Sequence, residues 1–396
     1  MSDAVLALNA GSSSLKFSLF DVERELTSAE ALAHGSVSGM PHEPRVRIAD
    51  GSGALLEDRS LENVAGHEPA MAYVLGWIDR ERRNRIVAVG HRVVHGGARF
   101  LEPVVVDDAV LAQLKEYIPM APLHQPHNLA AIKAFKRLHP RVPQVACFDT
   151  AFHHTQPPLA TQFALPEALS ARGIRRYGFH GLSYEYIASV LPSYLGELAE
   201  ERVIVAHLGS GASMCAMRYR RSVATTMGFT ALDGLMMGTR CGAIDPGVVL
   251  YLLDSGMSGT NLCDLLWEQS GLLGVSGVSD DMRELLASTS PSAAQAIDLF
   301  AYRIVREVGS LAAALGGLDA LVFTAGIGEN VPSVRRAVCA QLAWLGVHLN
   351  GAANDANARQ ISDATGSAAV WVIPTDEEAI VARHVVRLLR LDANSA

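Results

Sequence analysis

Apolar and polar positions along the chain follow two periods, one typical of strands and one typical of helices. Helical spacing occurs in residues 107–118, where the apolar positions fall on one face behind an acidic start, and in 292–317, a long apolar stretch closed by two glycines. Short apolar runs that predict strands lie at 5–9, 15–21, 46–49, 86–89, 145–148, 203–207, 214–217, 321–324 and 370–373. Because strands and helices alternate, the pattern predicts an α/β protein.

Length and charge narrow the class of protein. A chain of 396 residues exceeds the size at which one hydrophobic core keeps growing, so we expect two domains. Its formal net charge is −8, which predicts neither a nucleic acid nor an anionic membrane as partner. The longest apolar region, 311–328, is interrupted by glycines and Asp319 and is too short to span a bilayer. A small metabolite or a nucleotide is the expected partner.

Cysteine usage and the start of the sequence bear on the compartment. The five cysteines are odd in number and lack C-x-x-C spacing, which argues against a disulfide framework. The first apolar run has no basic stretch before it and is too short for a signal sequence. These features predict a reduced, cytoplasmic enzyme.

One pattern occurs twice, roughly half the chain apart. "VLALNAGSSSLKFSLFD" near the start and "VIVAHLGSGASMCAM" from residue 203 both read as strand, Gly/Ser turn, strand. Two ordinary hairpins would give the same pattern. Alternatively, Gly/Ser turns bring backbone N–H groups and hydroxyls close to an anion, and Lys16 would add a positive charge beside phosphates. The pattern therefore leaves both interpretations open.

A third glycine turn follows the predicted strand 321–324, in "VFTAGIGENVPSVRRAV". A strand, G-x-G and a helix with Pro332 near its first turn are typical of a backbone that approaches a ribose or a phosphate. Neither G-x-x-x-x-G-K-[ST] nor G-x-G-x-x-G occurs in the sequence. The turns thus favour a nucleotide site of neither the P-loop nor the Rossmann type.

Charged residues lie where predicted strands end. Arg92 follows a strand and precedes a Gly-Gly turn, and Arg240 has a similar setting, so each could offer a planar fork to a carboxylate or phosphate or else form a structural ion pair. Asp149 ends a buried strand, and Glu377 lies near the end of another, where Mg²⁺ and ligands are bound in open α/β sheets. Glu378 is more simply explained as part of the first turn of the last helix.

Among the histidines, the adjacent pair His153-His154 is a poor zinc site, because neighbouring residues rarely chelate one ion from a regular backbone. His180, in "RRYGFHGLSYEYI", follows two arginines and two aromatic residues and precedes a glycine. It is therefore the stronger candidate for a functional histidine.

Nine stretches together identify a family. They are "LNAGSSSLKF", "GHRVVHGG", "APLHQPHNL", "FDTAFH", "RRYGFHG", "VAHLGSGAS", "TMGFTALDGLMMGTRCG", "FTAGIGEN" and "PTDEEA". In order and spacing, the chain resembles the acetate kinase family over essentially its full length, within the superfamily of acetate and sugar kinases, heat-shock chaperone ATPases and actin. The resemblance implies two ribonuclease H-like domains, the duplicated fold of that superfamily, with the active site in the cleft between them. The implied domains are 1–150 and 151–379, with the helix in 380–396 packed back on the first.

The resemblance implies reversible transfer of the γ-phosphoryl group of ATP to acetate, giving acetyl phosphate and ADP, with Mg²⁺ or Mn²⁺ and by direct in-line transfer. A carboxylate acceptor is ionised at neutral pH, so this chemistry needs no strong general base. A propionate kinase is the alternative. A sugar kinase would need a polar pocket for hydroxyls, and a chaperone-type ATPase would need a further peptide-binding domain, so both are more distant. A homodimer is expected by resemblance only.

The implied catalytic residues are Arg92, Asp149, His180 and Arg240. The arginines would hold the acceptor carboxylate and neutralise the transferring phosphoryl group, and His180 would hydrogen-bond its equatorial oxygens. Asp149 would orient the substrate or a metal-bound water.

The remaining implied residues bind ligands. Asn9 and Glu377 match the family's Mg²⁺ ligands. Besides Arg92, the acetate site comprises Val94, Leu123, Phe179 and Ala231. The phosphate path and the rest of the nucleotide site comprise Ser12, Ser14, Lys16, His207, Leu208, Gly209, Ser210, Gly211, Asp281, Met282, Arg283, Gly326, Ile327, Gly328, Glu329 and Asn330.

Several positions depart from the family pattern. Ser210 replaces an Asn beside the phosphates, and Ala231 replaces a Pro in the methyl pocket, which predicts a slightly larger pocket. Asp376 replaces an Asn beside the metal-binding Glu, Ala243 replaces an Asp, and "GLSY" replaces "GTSH" after His180. One methylene is worth only about 0.8 kcal/mol, so discrimination between acetate and propionate should be weak.

Overall fold

The computed structural model describes residues 2–40, 42–62, 64, 66–82 and 84–391. They divide into two compact units. The first contains the described residues up to Phe152 and those from Asp376 onward, and the second runs from His153 to Thr375.

The first unit is built on an eight-stranded sheet. Its strands are β1 (Asp3–Ala10), β2 (Leu15–Asp21), β3 (Ala33–Ser38), β4 (Arg45–Ala49), β5 (Leu55–Ser60), β6 (Arg85–Val93), β7 (Val104–Val105) and β8 (Gln144–Phe148). Across the sheet they stand in the order β5-β4-β3-β2-β1-β6-β8-β7. Strands β1 to β5 pair antiparallel, whereas β6 is parallel to both β1 and β8.

Helices cover both faces of this sheet. They are α1 (His67–Glu81), α2 (Asp108–Lys115), α3 (Gln125–Leu138) and the last helix of the chain, α15 (Glu377–Leu389), with 3₁₀ helices at Ser28–Glu30, Ile118–Met120 and Ala151–Thr155. On one face, alternate apolar residues of β1 and β2 pack against α1 and α3 to form the core. On the other face α15 lies so close to β6 that a Cβ added to Gly90 would come within 2.3 Å of Val381 Cγ1. Glycine at that strand position is what permits the contact.

The second unit has a five-stranded sheet. Its strands are β9 (Val203–Leu208), β10 (Ala212–Arg218), β11 (Arg221–Thr225), β12 (Ala320–Thr324) and β13 (Ala369–Val372), in the order β11-β10-β9-β12-β13. Strands β9 to β11 are antiparallel, and β12 is parallel to both β9 and β13. The strands β3-β2-β1-β6-β8 of the first sheet have the same order and directions, so the predicted internal repeat is confirmed.

The second unit is richer in helices. They are α4 (Pro158–Thr161), α5 (Glu167–Ser170), α6 (Gly181–Leu195), α7 (Pro246–Asp254), α8 (Gly259–Glu268), α9 (Gly271–Ser276), α10 (Met282–Ala287), α11 (Pro291–Leu315), α12 (Ala325–Asn330), α13 (Pro332–Ala340) and α14 (Gly351–Asp355), with 3₁₀ helices at Gly196–Glu200 and Ala343–Leu345. The buried face of α11 supplies much of the core, and Gly316 ends this helix in a left-handed conformation. Within the described residues, no helix has the length and apolarity needed to cross a membrane.

Some elements of the structure differ from those predicted from the sequence. Strand β6 continues to Val93, so Arg92 lies within a strand and not after it. Strands β3, β5, β7 and β11 were not predicted, because each is short or carries polar residues that mask the apolar period. Residues 326–330 were predicted as a turn but form α12, and α15 begins at Glu377, three residues before the predicted 380.

Candidate active site

In the first unit, the predicted site residues gather at one edge of the sheet. Strands β1, β6 and β8 are parallel, so their carboxyl ends meet at this edge. Arg92 Nη2 donates to Asp149 Oδ2 at 2.7 Å, and its Nε donates to Asp149 Oδ1 at 3.0 Å. Arg92 Nη1 lies 3.3 Å from Asn9 Oδ1, and Glu377 Oε2 lies 3.5 Å from Arg92 Nε. Four of the predicted residues are therefore brought together.

The electrostatics of this edge are dominated by Arg92. The side chain of Asp149 is 1% exposed and that of Arg92 is 19% exposed, so this ion pair is shielded from water. Burial opposes the guanidinium charge, but Asp149 and Glu377 outweigh it and the pKa of Arg92 is raised above its usual value. Burial, reinforced by the Glu377 charge, raises the pKa of the neighbouring Glu378. This edge of the sheet therefore holds a guanidinium group that stays positively charged, surrounded by oxygen atoms of neighbouring side chains.

The turn between β1 and β2 carries the predicted phosphate-binding residues of this unit. Gly11 N–H donates to Ser14 O at 2.8 Å and closes the turn, and Ser12 is exposed at its tip. Lys16 lies on β2 opposite Asn9, with its side chain exposed. Lys16 therefore lies on the same hairpin as the proposed metal ligand.

Two predicted acetate contacts also lie in the first unit. Val94 follows β6, is buried, and donates its N–H to Asn128 Oδ1 at 3.0 Å. Leu123 is half-buried just before α3. Asn128 Nδ2 in turn donates to Ala10 O at 2.8 Å, so one buried amide joins the ends of β1 and β6. Sequence reasoning missed Asn128, although it lies within the quoted stretch "APLHQPHNL".

In the second unit, His180 and Arg240 converge on the turn between β9 and β10. A Cβ added to Gly211 would lie 2.7 Å from Arg240 Nη2 and 3.3 Å from His180 Nε2. A real Cβ atom would not lie 2.7 Å from another atom, so a larger residue at 211 would require the Arg240 guanidinium to move. The three residues therefore form one cluster.

The orientation of His180 is fixed by its neighbours. It precedes α6 in a left-handed conformation, with φ 57°. Its Nδ1 lies 2.8 Å from Ser213 Oγ, and its ring stacks on His207 with the centroids 4.3 Å apart. Nε2 is consequently left as the ring atom nearest to Gly211.

Two hydroxyls of the "GLSY" stretch support the two rings, one from Ser183, which the family pattern shares, and one from Tyr184, which departs from it. Ser183 Oγ is 2.8 Å from His207 Nδ1, and Tyr184 Oη is 2.5 Å from Ser213 Oγ. Sequence reasoning noted this stretch only as a deviation, and it missed Ser213 altogether. Its position two residues beyond the glycine turn was the available signal.

Arg240 is held by a carbonyl and an aromatic ring. Its Nη1 donates to Ala231 O at 2.7 Å, and its Cζ lies 6.0 Å from the ring centroid of Trp267. The contact with Ala231 uses only the backbone, so the replacement of Pro by Ala does not remove it. The indole ring offers a favourable face for the guanidinium.

The remaining predicted acetate contact, Phe179, is buried next to His180. Its carbonyl oxygen lies 2.9 Å from His153 Nε2, while His153 Nδ1 lies 2.9 Å from Ser222 Oγ. Burial lowers the pKa of His153 to about 4. His153 is therefore buried and held by its neighbours, as is typical of a structural residue.

Among the described residues, no group of three or more His, Cys, Asp or Glu is placed to hold a metal ion.

The predicted nucleotide segments of the second unit also lie near each other. His207 pairs with Thr324, so the ends of β9 and β12 are adjacent. A Cβ on Gly328 would be 3.7 Å from Leu208 Cβ, and Ser210 O accepts a hydrogen bond from Gly238 N at 3.0 Å. Gly326 and Asn330 are exposed, whereas Ile327 is buried. The space above Gly326 is open, since a Cβ there would meet nothing within 4 Å.

The segment at α10 is more self-contained. Asp281 caps the helix by accepting from Arg283 N at 2.8 Å, and it forms an ion pair with the exposed Arg283 side chain. That hydrogen-bonded partner lowers the pKa of Asp281. Met282 is buried, so its side chain contributes to the core, whereas Arg283 extends to the surface.

Two departures from the family pattern have structural explanations. Both oxygens of Asp376 accept backbone hydrogen bonds, from Ser28 N at 2.7 Å and from Ala379 N at 3.0 Å. This carboxylate therefore caps α15. Ala243 is exposed and its carbonyl accepts from Arg303 Nη2 at 2.7 Å, a contact that any side chain at 243 would allow.

Comparisons with known proteins agree with this description. Residues 4–383 match the acetokinase family. Over 98% of its length the chain is 57% identical to an acetate kinase of Rhodopseudomonas palustris, 99% of which is covered. The crystal structure of Porphyromonas gingivalis acetate kinase is 37% identical with a TM-score of 0.86, and a propionate kinase from Francisella tularensis is 36% identical with a TM-score of 0.90. Each structural comparison covers 98% of this chain and 100% of the other.

The fold and these likenesses define a kinase that phosphorylates a carboxylate, built from a duplicated α/β unit. The chain belongs to the acetokinase family. The predicted family, fold class and type of enzyme are thereby confirmed. Relatives named acetate kinase match along their whole length, which agrees with the predicted function.

Proposed function

We propose that the protein transfers the γ-phosphoryl group of ATP reversibly to acetate, giving acetyl phosphate and ADP by direct in-line transfer. The observation that carries this proposal is the convergence of Arg240, His180 and Gly211 in one unit, together with the Arg92–Asp149 pair in the other. Phosphoryl transfer depends mainly on positioning and charge neutralisation, and these side chains supply both.

The first unit would bind the acceptor. Acetate is already a nucleophile at neutral pH, so the protein has to overcome repulsion between two anions. Arg92 would attract the carboxylate, and Asp149 holds the guanidinium in place through two hydrogen bonds. Val94 and Leu123 would contact the methyl group.

The second unit would bind ATP and stabilise the transferring group. Arg240 and His180 Nε2 would donate to the equatorial oxygens of the phosphoryl group. The segments that end β9 and β12, together with the start of α10, would hold the rest of the nucleotide. Neither unit contains the complete set, so we propose that the reaction requires residues of both.

Asn9 and Glu377 fit a divalent cation by their chemistry. Both offer oxygen ligands, both reach the same guanidinium, and Mg²⁺ takes one or two protein oxygens together with phosphate and water. Mg²⁺ or Mn²⁺ would neutralise phosphate charge there. Lys16, on the same hairpin as Asn9, would add a further positive charge.

Acetate and propionate kinases are both represented among the similar structures. We propose acetate as the preferred acceptor, with weak discrimination against propionate because one methylene contributes only about 0.8 kcal/mol. The test is hydroxamate formation from ATP, hydroxylamine and each acid. Turnover of acetate, with kcat/KM for propionate lower by no more than about 200-fold, is expected. Activity with a hexose and none with either acid would overturn the proposal.

We also propose that the protein is a homodimer. Helix α7 is strongly apolar yet none of its residues is buried, and Leu250 and Tyr251 are 62% and 70% exposed. A second copy presents the same surface and could cover it symmetrically. Light scattering should give a dimer mass that Leu250→Glu reduces to a monomer. The matched control is Leu159→Glu, at an exposed site on α4, which should remain dimeric. A monomeric unmodified chain would contradict the proposal.

A cytoplasmic location stays a prediction from the cysteines.

A further inference from the structure

Arg335 on α13 is the largest side chain that is completely buried in the described part of the chain, with 0% exposure. Its Nη1 donates to Gly328 O and to Glu329 O, both at 2.9 Å. The three other hydrogen bonds go to Asn354 Oδ1 at 2.8 Å, Asn354 O at 3.0 Å and Asn357 Oδ1 at 2.6 Å. A guanidinium has five N–H donors, so every donor is used.

None of these acceptors is a carboxylate. A buried cation without an anionic partner is costly, and burial lowers the pKa of Arg335. An apolar side chain would fill the same volume without that cost. The arginine therefore contributes something that apolar packing cannot, namely a planar set of donors that fixes several carbonyl oxygens relative to each other.

Two of those carbonyls belong to the predicted nucleotide segment, at the C-terminal end of α12. The other end of α12 is fixed by Glu329, whose Oε1 accepts from Ala325 N at 2.7 Å and from Thr375 N at 3.2 Å. Ala325 has a left-handed φ of 65°, a conformation that needs support from its surroundings. Glu329 and Arg335 thus hold the segment from both ends, while Gly326 between them faces open space.

We propose that Arg335 is a positioning residue for nucleotide binding. It holds Gly328 and Glu329 in the conformation that receives the nucleotide, and it acts through their carbonyl groups without contacting the ligand. This inference rests on the proposed role of residues 326–330. Its consequence is selective, because losing Arg335 should weaken binding of ATP and ADP and leave the acceptor site in the first unit unaffected.

The test compares Arg335→Met with the unmodified protein. Loss of hydrogen bonds from a charged donor should raise KM for ATP and Kd for ADP about 10-fold or more. KM for acetate should stay within about twofold, a split that general destabilisation would not produce. For Arg335→Lys, KM for ATP and Kd for ADP should lie between those of Arg335→Met and the unmodified protein, since an ammonium group cannot reach five acceptors in one plane.

Arg202→Met is the matched control. Arg202 is another arginine of the second unit that links separate segments, here through the Asp319 carboxylate and Gly316 O, at the opposite ends of β9 and β12. Its removal should lower the melting temperature while KM for ATP stays unchanged. If Arg335→Met does not fold, Asn357→Gly removes a single acceptor at a left-handed position and should raise Kd for ADP about threefold.

Calorimetric titration with ADP separates this inference from the proposed function, because binding needs no turnover. Weaker ADP binding in the Arg335 variants supports positioning even if the protein were to phosphorylate a different acid. Unchanged ADP affinity in Arg335→Met, or an equal rise in KM for ATP and acetate, would overturn it.

Discussion

The two units share a strand order, but the edges that carry their functional residues differ in chemistry. In the first unit the edge is ionic, with Arg92 joined to Asp149 and close to Glu377. In the second unit the edge is made of stacked imidazoles, hydroxyls and Arg240, whose guanidinium contacts a carbonyl and an indole ring. In the first unit Arg92 and Asp149 lie at the carboxyl ends of β6 and β8, whereas His180 and Arg240 in the second unit lie outside the strands and reach the turn between β9 and β10. The two units therefore share a strand order, but neither the positions nor the chemistry of these side chains.

The two hairpin turns differ in a similar way. A Cβ on Gly11 would meet Ser14 Oγ at 3.2 Å, a contact that a rotating hydroxyl can relieve. A Cβ on Gly211 would lie 2.7 Å from Arg240 Nη2, so the guanidinium would have to move, and 3.3 Å from His180 Nε2. The turn in the second unit is therefore packed more closely, and against two of the proposed site residues.

The strongest test of the comparison removes each arginine in turn. Both Arg92→Ala and Arg240→Ala should lower kcat by on the order of 10³, because in the proposed mechanism each arginine neutralises negative charge on the reactants. Only Arg92→Ala should also lose about 3 kcal/mol of unfolding free energy, since it leaves Asp149 buried without its ion-pair partner. Hydroxamate assays and urea unfolding measure the two effects.

The matched control for both arginines is Arg220→Ala, which breaks an ion pair with Glu200 in which both side chains are exposed. Neither activity nor stability should change measurably. Near-normal turnover in Arg240→Ala would exclude this residue from the mechanism, and equal stability losses for Arg92 and Arg240 would show that the edges are not electrostatically different.

Alanine at the two turn glycines tests the difference in packing. Gly211→Ala should lower kcat about 100-fold, because it shifts two side chains that act on the same group. For Gly11→Ala, kcat should stay within about threefold of that of the unmodified protein, since the Ser14 hydroxyl can rotate away. A comparable loss from both substitutions would mean that the turns are equally constrained.

One buried histidine in each unit predicts a shared response to acid. Burial lowers the pKa of His91 in the first unit and of His153 in the second to about 4, from an ordinary 6.5. Between pH 6.5 and about 4, both histidines are therefore protonated in the unfolded chain but stay neutral in the folded protein. Each histidine should cost about 2 kcal/mol of unfolding free energy as pH falls from 6.5 to about 5.

Urea unfolding at several pH values measures this dependence. His91→Gln removes one of the titrating groups and should make the slope less steep, although it lowers stability at neutral pH. Because His91 Nε2 lies 2.8 Å from Gln144 Oε1, a glutamine retains a donor near that oxygen. An unchanged slope would show that His91 is not neutral when buried.

The smallest effect is expected at Asp376. Asp376→Asn restores the family residue but leaves one acceptor oxygen for two backbone N–H groups, those of Ser28 and Ala379. Unfolding free energy should fall by about 1 kcal/mol, with kcat nearly unchanged. A large loss of activity would instead place this carboxylate in the metal site.

Part of the proposed site could be predicted from the sequence because its residues lie near the ends of strands. Arg92 and Asp149 were found in this way, since apolar runs mark where strands end, whereas Asn9 was assigned only through the family resemblance. Ser213, Trp267 and Asn128 were missed, because their roles depend on contacts with residues far away in the sequence. Arg335 was read only as part of a helix, and nothing in its local pattern indicates that it is buried.

The sequence by itself determined the α/β class, the repeat and the family, because these depend on local periodicity and on short motifs that survive in order. Only the tertiary structure decided which hydrogen bonds the charged groups make, which side chains lie against Gly211 and which arginine is buried. The physical reason is that burial and directional contacts arise between segments that are distant in sequence, and no local pattern contains that information.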